Sequence, residues 1–189
     1  MTNLTQLPPD LPRPIDDGLA DHLTGTIFPS IVLKSTNGDL VNSIYFKKGI
    51  TVIYCYPLTG RPDQELPKGW NEIPGARGCT PQALTFAEKY NEFQKRNIKL
   101  FGLSTQTTDY QKEMVERLHL PFLVFSDSDF KLTKLLKLPT FKVEGKVLLK
   151  RLTMVIKDGI ITKVFYPIFP PNLNVEEVLK WVDHENKNI

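Results

Sequence analysis

The stretch PGARGCTPQALTFAEKY, residues 74–90, marks the point where a loop becomes a helix. Glycine and proline dominate its first five residues, which is typical of a loop. Its second half carries apolar residues at helical spacing, namely Ala83, Leu84, Phe86, Ala87, Tyr90 and, just beyond it, Phe93. Cys79 lies at the junction, so the sequence predicts a thiol at the start of a helix.

A cysteine at a helix N-terminus faces unpaired backbone N–H groups and the positive end of the helix dipole. Both favour the thiolate, the nucleophilic form, over the neutral thiol. Arg77 adds a positive charge two residues earlier in the chain. The alternative is an inert packed cysteine, since free cysteines are among the most buried residues. Cys79 is therefore a candidate reaction centre.

Short apolar runs and amphipathic stretches alternate around this helix. The run 51–56 is β-branched and aromatic, as expected of a central strand covered on both faces, and Pro57 ends it. Further strands are predicted at 31–33, 40–41, 98–104 and 122–125, helices at 109–118 and 129–138, a hairpin of 147–156 with 160–165, and a last helix capped by Asn174 and Glu177. This order predicts an α/β, thioredoxin-like fold with a central mixed β-sheet flanked by helices.

The ends of the pattern suggest how the chain is organised. Residues 1–26 are polar and interrupted by prolines, so we expect an extended N-terminal arm before one domain at 27–189. The arm contains a Pro-x-x-Pro spacing that could bind a partner, but a strap across its own domain is favoured. The loop from Leu58 to Gly78 is long enough to indicate a function or a local insertion.

The composition argues against several classes of function. The 24 basic and 21 acidic residues are spread along the chain and give a net charge of +3, so no nucleic-acid partner is expected. The apolar runs are too short to cross a membrane, and two cysteines make no disulfide framework, so we expect a cytoplasmic protein. The histidines are scattered singly, so neither a metal nor another cofactor is expected.

Three segments together resemble the peroxiredoxins, which are thiol peroxidases with a thioredoxin fold. They are Tyr56-Pro57, Gly78-Cys79-Thr80-Pro81-Gln82, and Lys-Arg-Leu-Thr-Met-Val-Ile at 150–156. The Gly-Cys-Thr-x-Gln stretch is most similar to the bacterioferritin-comigratory branch of the AhpC-TSA group, whereas Pro74-Gly75-Ala76 is similar to a branch whose loop reads Pro-Gly-Ala-Phe-Thr. The resemblance runs from about residue 25 to residue 181.

The resemblance implies roles for particular residues. Cys79 would be the peroxidatic cysteine, Arg151 would hold its thiolate and the peroxide, and Pro57 would shield the site from water. Gly78, Thr80 and Gln82 would belong to the loop around the substrate. Arginine suits such a role because it stays charged and its donors form a fixed fork. Taken alone, Arg151 could equally form a surface ion pair.

The sequence also departs from the family pattern, which has a proline seven residues before the cysteine and a threonine or serine three before it. Here Pro57 lies 22 residues before Cys79, and position 76 is alanine. Either the donor hydroxyl is lost, or Thr59 folds back ahead of an inserted loop to replace it; we favour Thr59. Gln82 either orients the loop or is an ordinary exposed residue of the first helical turn.

Turnover requires a thiol that reduces the sulfenic acid formed on Cys79. The only other cysteine, Cys55, lies inside the predicted central strand, where an inert packed thiol is expected, so a resolving role is disfavoured. Position 84, where the bacterioferritin-comigratory branch often has a resolving cysteine, is leucine. We expect a one-cysteine mechanism with an external thiol reductant, either glutathione or a thioredoxin-type protein. The resemblance also implies a homodimer.

The main hypothesis is therefore a thiol peroxidase that reduces hydrogen peroxide or an organic hydroperoxide. A thiol-disulfide oxidoreductase on the same fold is one alternative, although the chain lacks the Cys-x-x-Cys pair of such enzymes. Another is a redox sensor or binding module, in which oxidation of Cys79 changes the helix start and a partner surface. The rate at which peroxide oxidises Cys79 distinguishes the peroxidase from the sensor.

Overall fold

The structure is a computed structural model and describes residues 3–187. Its strands are β1 (Val32–Ser35), β2 (Leu40–Asn42), β3 (Ile50–Cys55), β4 (Lys99–Ser104), β5 (Val124–Ser126), β6 (Thr140–Val143), β7 (Lys146–Leu149), β8 (Leu152–Lys157) and β9 (Ile160–Phe165). Its α-helices are α1 (Cys79–Glu88), α2 (Tyr90–Lys95), α3 (Thr108–Leu118), α4 (Lys131–Leu136) and α5 (Asn174–Lys187). Short 3-10 helices lie at Asp21–Leu23, Ser43–Lys47, Trp70–Glu72 and Pro171–Leu173.

A seven-stranded mixed sheet forms the centre of the molecule, in the order β2-β1-β5-β4-β3-β8-β9. The three middle strands, β5, β4 and β3, are parallel, and β1 and β8 add to them in antiparallel fashion. The parallel pairs follow from the strand-helix-strand order of the sequence, because a crossover helix returns the chain to the same end of the sheet. The predicted mixed α/β sheet is confirmed.

The sheet has an apolar cluster on each face, and β3 contributes to both. Cys55 and Ile53 point into the cluster that α4 covers, whereas Tyr54 points into the cluster beneath α1, α2, α3 and α5. The Tyr54 ring stacks on Phe86 of α1 with 4.7 Å between ring centroids. Burial on both faces explains why the β3 sequence has almost no polar residue.

The predicted long strand over 147–156 is wrong, because the chain leaves one sheet and enters another. β7 ends at Leu149 and pairs with β6 in a separate hairpin, and β8 then begins at Leu152 in the main sheet. The β6-β7 hairpin, with Gly145 at a φ of 74° in its turn, was missed because its strands are only four residues long. Arg151 lies in the break between the sheets.

The long loop at 58–78 is ordered by contact with this hairpin. Trp70 and Ala76 of the loop share a small buried apolar cluster with Val143 and Leu148 of the hairpin strands. This cluster excludes water from the base of the loop, so the loop that leads to Cys79 packs against the segment that leads to Arg151. The insertion expected from the sequence therefore has a structural partner.

The N-terminal arm lies across its own domain, which agrees with the strap favoured from the sequence over a segment that binds a partner. Asp17 accepts hydrogen bonds from the Lys150 ammonium group and, at 2.6 Å, from the Tyr166 hydroxyl. The Arg13 guanidinium lies 5.4 Å from the centroid of the Phe169 ring. The boundary between residues 26 and 27 stays a prediction. Across residues 3–187, none of the helices has the length and apolar character needed to span a membrane.

We expect Asp17→Asn to loosen the arm. Hydrogen bonds from Lys150 and then Tyr166 lower the pKa of Asp17 to about 2, so the ionised carboxylate stabilises the folded arm above pH ~4 and this contribution fades as the pH falls through about 2. An exposed pair of this kind is worth ~0.2–1 kcal/mol, so amide exchange in residues 13–20 should accelerate by up to about fivefold at neutral pH. Asp10→Asn, on the same arm, is the charge-matched control, and equal acceleration in both variants would contradict the assignment.

Candidate active site

Cys79 is the first residue of α1, as predicted, and it is buried. Gly78 precedes it with a φ of 104°, a left-handed conformation that glycine adopts without strain. A side-chain carbon at Gly78 would also collide with Pro171 and with Leu7 of the arm. Cys79 itself is 4% exposed. Glycine at 78 therefore lets the arm and the Pro171 segment close over the start of the helix.

Arg151 reaches this sulfur from the break between β7 and β8. Its Nη2 atom donates a hydrogen bond to the Cys79 sulfur at 3.2 Å. Among the residues that the structure describes, it is the one side chain that donates a hydrogen bond to that atom. The side chain is 3% exposed, so the alternative of a surface ion pair is wrong.

The loop before Cys79 wraps around the same guanidinium group. Nε of Arg151 donates to the carbonyl of Gly75 at 3.3 Å, and Nη2 donates to the carbonyls of Ala76 at 3.0 Å and Arg77 at 3.2 Å. Three consecutive carbonyl groups therefore fix one guanidinium group. Because a planar guanidinium has donors in a rigid fork, this arrangement sets the position of the sulfur relative to the cation.

The electrostatic surroundings of Cys79 are positive. Besides Arg151, the Arg77 guanidinium interacts electrostatically with Cys79. Burial lowers the pKa of Arg77, and the interaction with Cys79 acts in the opposite direction and raises it. Arg77 is held by a hydrogen bond from its Nη2 to the carbonyl of Asn3 in the arm. Burial raises the pKa of Tyr54 and of Tyr56, so both phenols stay neutral. A thiolate at Cys79 thus faces two cations and no competing anion from these tyrosines.

Gln82 is fully buried one helical turn after Cys79, so its interpretation as an exposed residue is wrong. Its side-chain oxygen accepts a hydrogen bond from Nη1 of Arg151. Gln82 therefore holds the guanidinium through Nη1, the nitrogen that the loop carbonyls do not use. Its burial could not be inferred from the first turn of α1 alone, because α5 supplies the residues that cover it.

The remaining predicted site residues lie as follows. Pro57 is buried directly after β3, and Thr80 is buried in the first turn of α1. The Thr59 hydroxyl donates to Oε1 of Gln106 at 3.1 Å, and the Thr59 backbone N–H donates to the same atom. The expected replacement of the missing hydroxyl by Thr59 is therefore not supported, because the Thr59 hydroxyl donates its hydrogen bond to Gln106.

Cys55 lies on the other face of the sheet from Cys79. Each cysteine belongs to a different apolar cluster, and the central sheet lies between the two clusters. Cys55 is fully buried, and desolvation raises the pKa of its thiol. The two thiols are therefore not in contact in this structure.

A cavity of about 390 Å³ lies under the arm beside the site. Its wall is largely apolar and includes Ile73, Pro74, Phe141, Arg151, Tyr166 and Ile168. No group of three or more His, Cys, Asp or Glu residues that could hold a metal ion occurs among residues 3–187. Arg151 is the residue of this wall that also donates a hydrogen bond to the Cys79 sulfur.

A cysteine at a helix N-terminus, paired with a buried arginine on a thioredoxin-like sheet, defines a thiol-based redox protein. The Redoxin family model matches residues 23–180, so the chain belongs to the Redoxin family. Within that family it is a thioredoxin-fold peroxiredoxin of the bacterioferritin-comigratory or peroxiredoxin Q group, and so a thiol peroxidase.

Similar proteins include two plant relatives and two solved bacterial structures. Chloroplastic peroxiredoxin Q of Suaeda salsa is 25% identical over 93% of this chain and 75% of its own length. Chloroplastic peroxiredoxin Q of Sedum lineare is 27% identical over 82% of this chain and 75% of its own length. The peroxidoxin BcpB of Mycobacterium tuberculosis matches the fold with a TM-score of 0.68 and 21% identity, over 83% of this chain and 94% of its own. The structure of a cysteine-to-serine mutant of Xylella fastidiosa PrxQ matches with a TM-score of 0.69 and 18% identity, over 85% of this chain and 97% of its own.

Proposed function

We propose that the protein reduces hydrogen peroxide or an organic hydroperoxide at Cys79 in a one-cysteine cycle. The Cys79 thiolate attacks one peroxide oxygen, the O–O bond breaks, and the other oxygen leaves with a proton as water or alcohol. Cys79 is thereby oxidised to a sulfenic acid. An external thiol then forms a mixed disulfide with Cys79 and releases water, and a second thiol restores the reduced cysteine.

The observation that carries this proposal is the 3.2 Å hydrogen bond from Nη2 of Arg151 to the Cys79 sulfur. A fixed cation at this distance stabilises the thiolate before the reaction. It can also donate to the oxygen on which negative charge develops as the O–O bond breaks. Because loop carbonyls and Gln82 already hold the guanidinium, it needs no reorganisation during the reaction.

The proposal that the reductant is external follows from the position of Cys55. That thiol is fully buried on the opposite face of the sheet from Cys79, which supports an external reductant. Glutathione and a thioredoxin-type protein are both proposed reductants. The separation of the two cysteines also disfavours the thiol-disulfide oxidoreductase considered from the sequence.

The test is to mix the reduced protein with one equivalent of hydrogen peroxide, trap the product with dimedone, and locate it by mass spectrometry. We expect rapid formation of a sulfenic acid on Cys79. Steady-state turnover should then require added glutathione or thioredoxin and should be the same for Cys55→Ala. Oxidation no faster than that of free cysteine would contradict the peroxidase and leave the redox sensor.

The range of peroxides is tested in the same assay. The apolar cavity beside Arg151 supports the inclusion of organic hydroperoxides, so we expect cumene hydroperoxide to be reduced as well as hydrogen peroxide. The homodimer and the cytoplasmic location stay predictions, and the plant relatives named above are chloroplastic proteins.

A further inference from the structure

A chain of buried hydrogen bonds leads from Arg151 to the first turn of α5. Nη1 of Arg151 donates to Oε1 of Gln82, and Nε2 of Gln82 donates to Oδ1 of Asn174 at 3.1 Å. The hydroxyl of Thr153 donates to the same Asn174 oxygen at 2.7 Å. Gln82, Asn174 and Thr153 are each fully buried. The chain therefore lies in the interior, where a missing partner is costly.

The chemistry of the groups fixes the direction of every bond in this chain. A guanidinium group can only donate, so Gln82 must turn its oxygen toward Arg151. The NH₂ group of Gln82 then points at Asn174, which must present its own oxygen to receive it. The orientation of the Gln82 amide is thus set from both sides, by Arg151 at one end and by Asn174 at the other.

Asn174 does not act as the helix cap predicted from the sequence. It is already helical, with a φ of −57° and a ψ of −36°, and its oxygen accepts from two side chains instead of from the first N–H groups of α5. Its NH₂ group is buried without a hydrogen-bond partner among the described residues. A buried asparagine with an unpaired NH₂ group is a poor choice for stability alone, which points to a role for its oxygen.

We propose that Asn174 is a positioning residue for the reaction proposed above, and that it acts by holding Gln82 in the one amide orientation that fixes Arg151 on the Cys79 sulfur. The inference rests on the proposed function. Without an oxygen at position 174, the NH₂ group of Gln82 loses its buried acceptor, and the Gln82 side chain can leave its place to find another. Arg151 then loses the contact that holds it beside the sulfur.

The test compares Asn174→Leu, which removes the oxygen and keeps a branched side chain, with Asn174→Asp, which keeps an oxygen in the same place. A hydrogen bond is worth ~1 kcal/mol, so we expect the rate constant for oxidation of Cys79 by hydrogen peroxide to fall about fivefold to tenfold in Asn174→Leu. Alkylation of Cys79 by iodoacetamide at a fixed neutral pH should slow in the same variant. Asn174→Asp keeps the oxygen and should retain both rates more closely than Asn174→Leu does.

Val178→Ala is the stability control, because Val178 is buried in α5 but takes no part in the hydrogen-bond chain. It should lower the melting temperature and leave the alkylation rate unchanged. If Asn174→Leu leaves both rates unchanged, or changes them only as Val178→Ala does, the inference is overturned. Should Asn174→Leu not fold, Asn174→Ala removes the same oxygen and is judged by the same criteria.

The wild-type protein separates this inference from the proposed function. Fast wild-type oxidation with an unaffected Asn174→Leu variant would overturn the positioning role alone. Wild-type oxidation as slow as that of free cysteine would overturn the peroxidase, and the positioning role with it.

Discussion

Cys79→Ser is expected to reduce peroxide consumption to the uncatalysed background. Serine has nearly the same size and should keep the packing around a residue that is only 4% exposed, but its hydroxyl does not ionise near neutral pH. The nucleophile is therefore lost while the site stays intact. Since enzymes typically accelerate their reactions by ~10⁶ or more, no residual activity should be measurable in a coupled assay with excess thiol.

Cys55→Ala is the matched control for this prediction, because it removes the other thiol. It should consume peroxide at the wild-type rate and melt at a lower temperature, since Cys55 fills space in the buried core. Activity that survives in Cys79→Ser, or disappears in Cys55→Ala, would contradict the assignment of Cys79 as the reacting residue.

Arg151→Lys is expected to lower the second-order rate constant for peroxide by about 10²-fold to 10³-fold, the range found when one preorganised donor is removed from a site of developing negative charge. Lysine keeps the positive charge, but its single ammonium group cannot donate to the sulfur, to Gln82 and to three loop carbonyls at once. The loss should therefore reflect geometry more than charge. Stopped-flow measurement of Cys79 oxidation gives the rate constant directly.

Arg96→Lys provides the matched control, because Arg96 lies at the end of α2 and pairs with Glu92 and Asp183. That substitution should leave the rate constant unchanged. A rate constant for Arg151→Lys within threefold of the wild type would show that any nearby cation suffices, and the loop carbonyls would then have only a structural role.

The sequence was informative where a short segment determines its own structure. The period of apolar residues after Cys79 predicted α1, and the unbroken apolar run predicted β3, because both patterns are local. The placement of Cys55 within the core followed from the same strand. The resemblance to peroxiredoxins pointed to Arg151, which the structure brings to hydrogen-bonding distance of the Cys79 sulfur.

The features that the sequence did not reveal depend on residues that are distant along the chain. The buried Gln82 side chain contacts Arg151 and Asn174 of α5, and Asn174 faces Gln82 instead of capping its helix. The break before β8 follows from the pairing of β7 with β6 in a separate sheet. No local sequence pattern indicates this pairing. The Thr59 hydroxyl was wrongly expected to replace the missing donor near Cys79. Its actual partner, Gln106, lies 47 residues further along the chain and is not indicated by the local sequence.

The enclosure of the Cys79 sulfur has a consequence for the order of events in turnover. Hydrogen peroxide is small enough to need only a slight displacement of the side chains around Cys79, a residue that is 4% exposed. Glutathione or a protein thiol is far larger, and Leu7 and Asn3 of the arm lie over the same loop. The oxidant and the reductant thus require two different conformations of the loop. We therefore expect turnover to level off at high reductant concentration, at the rate with which the arm and loop open.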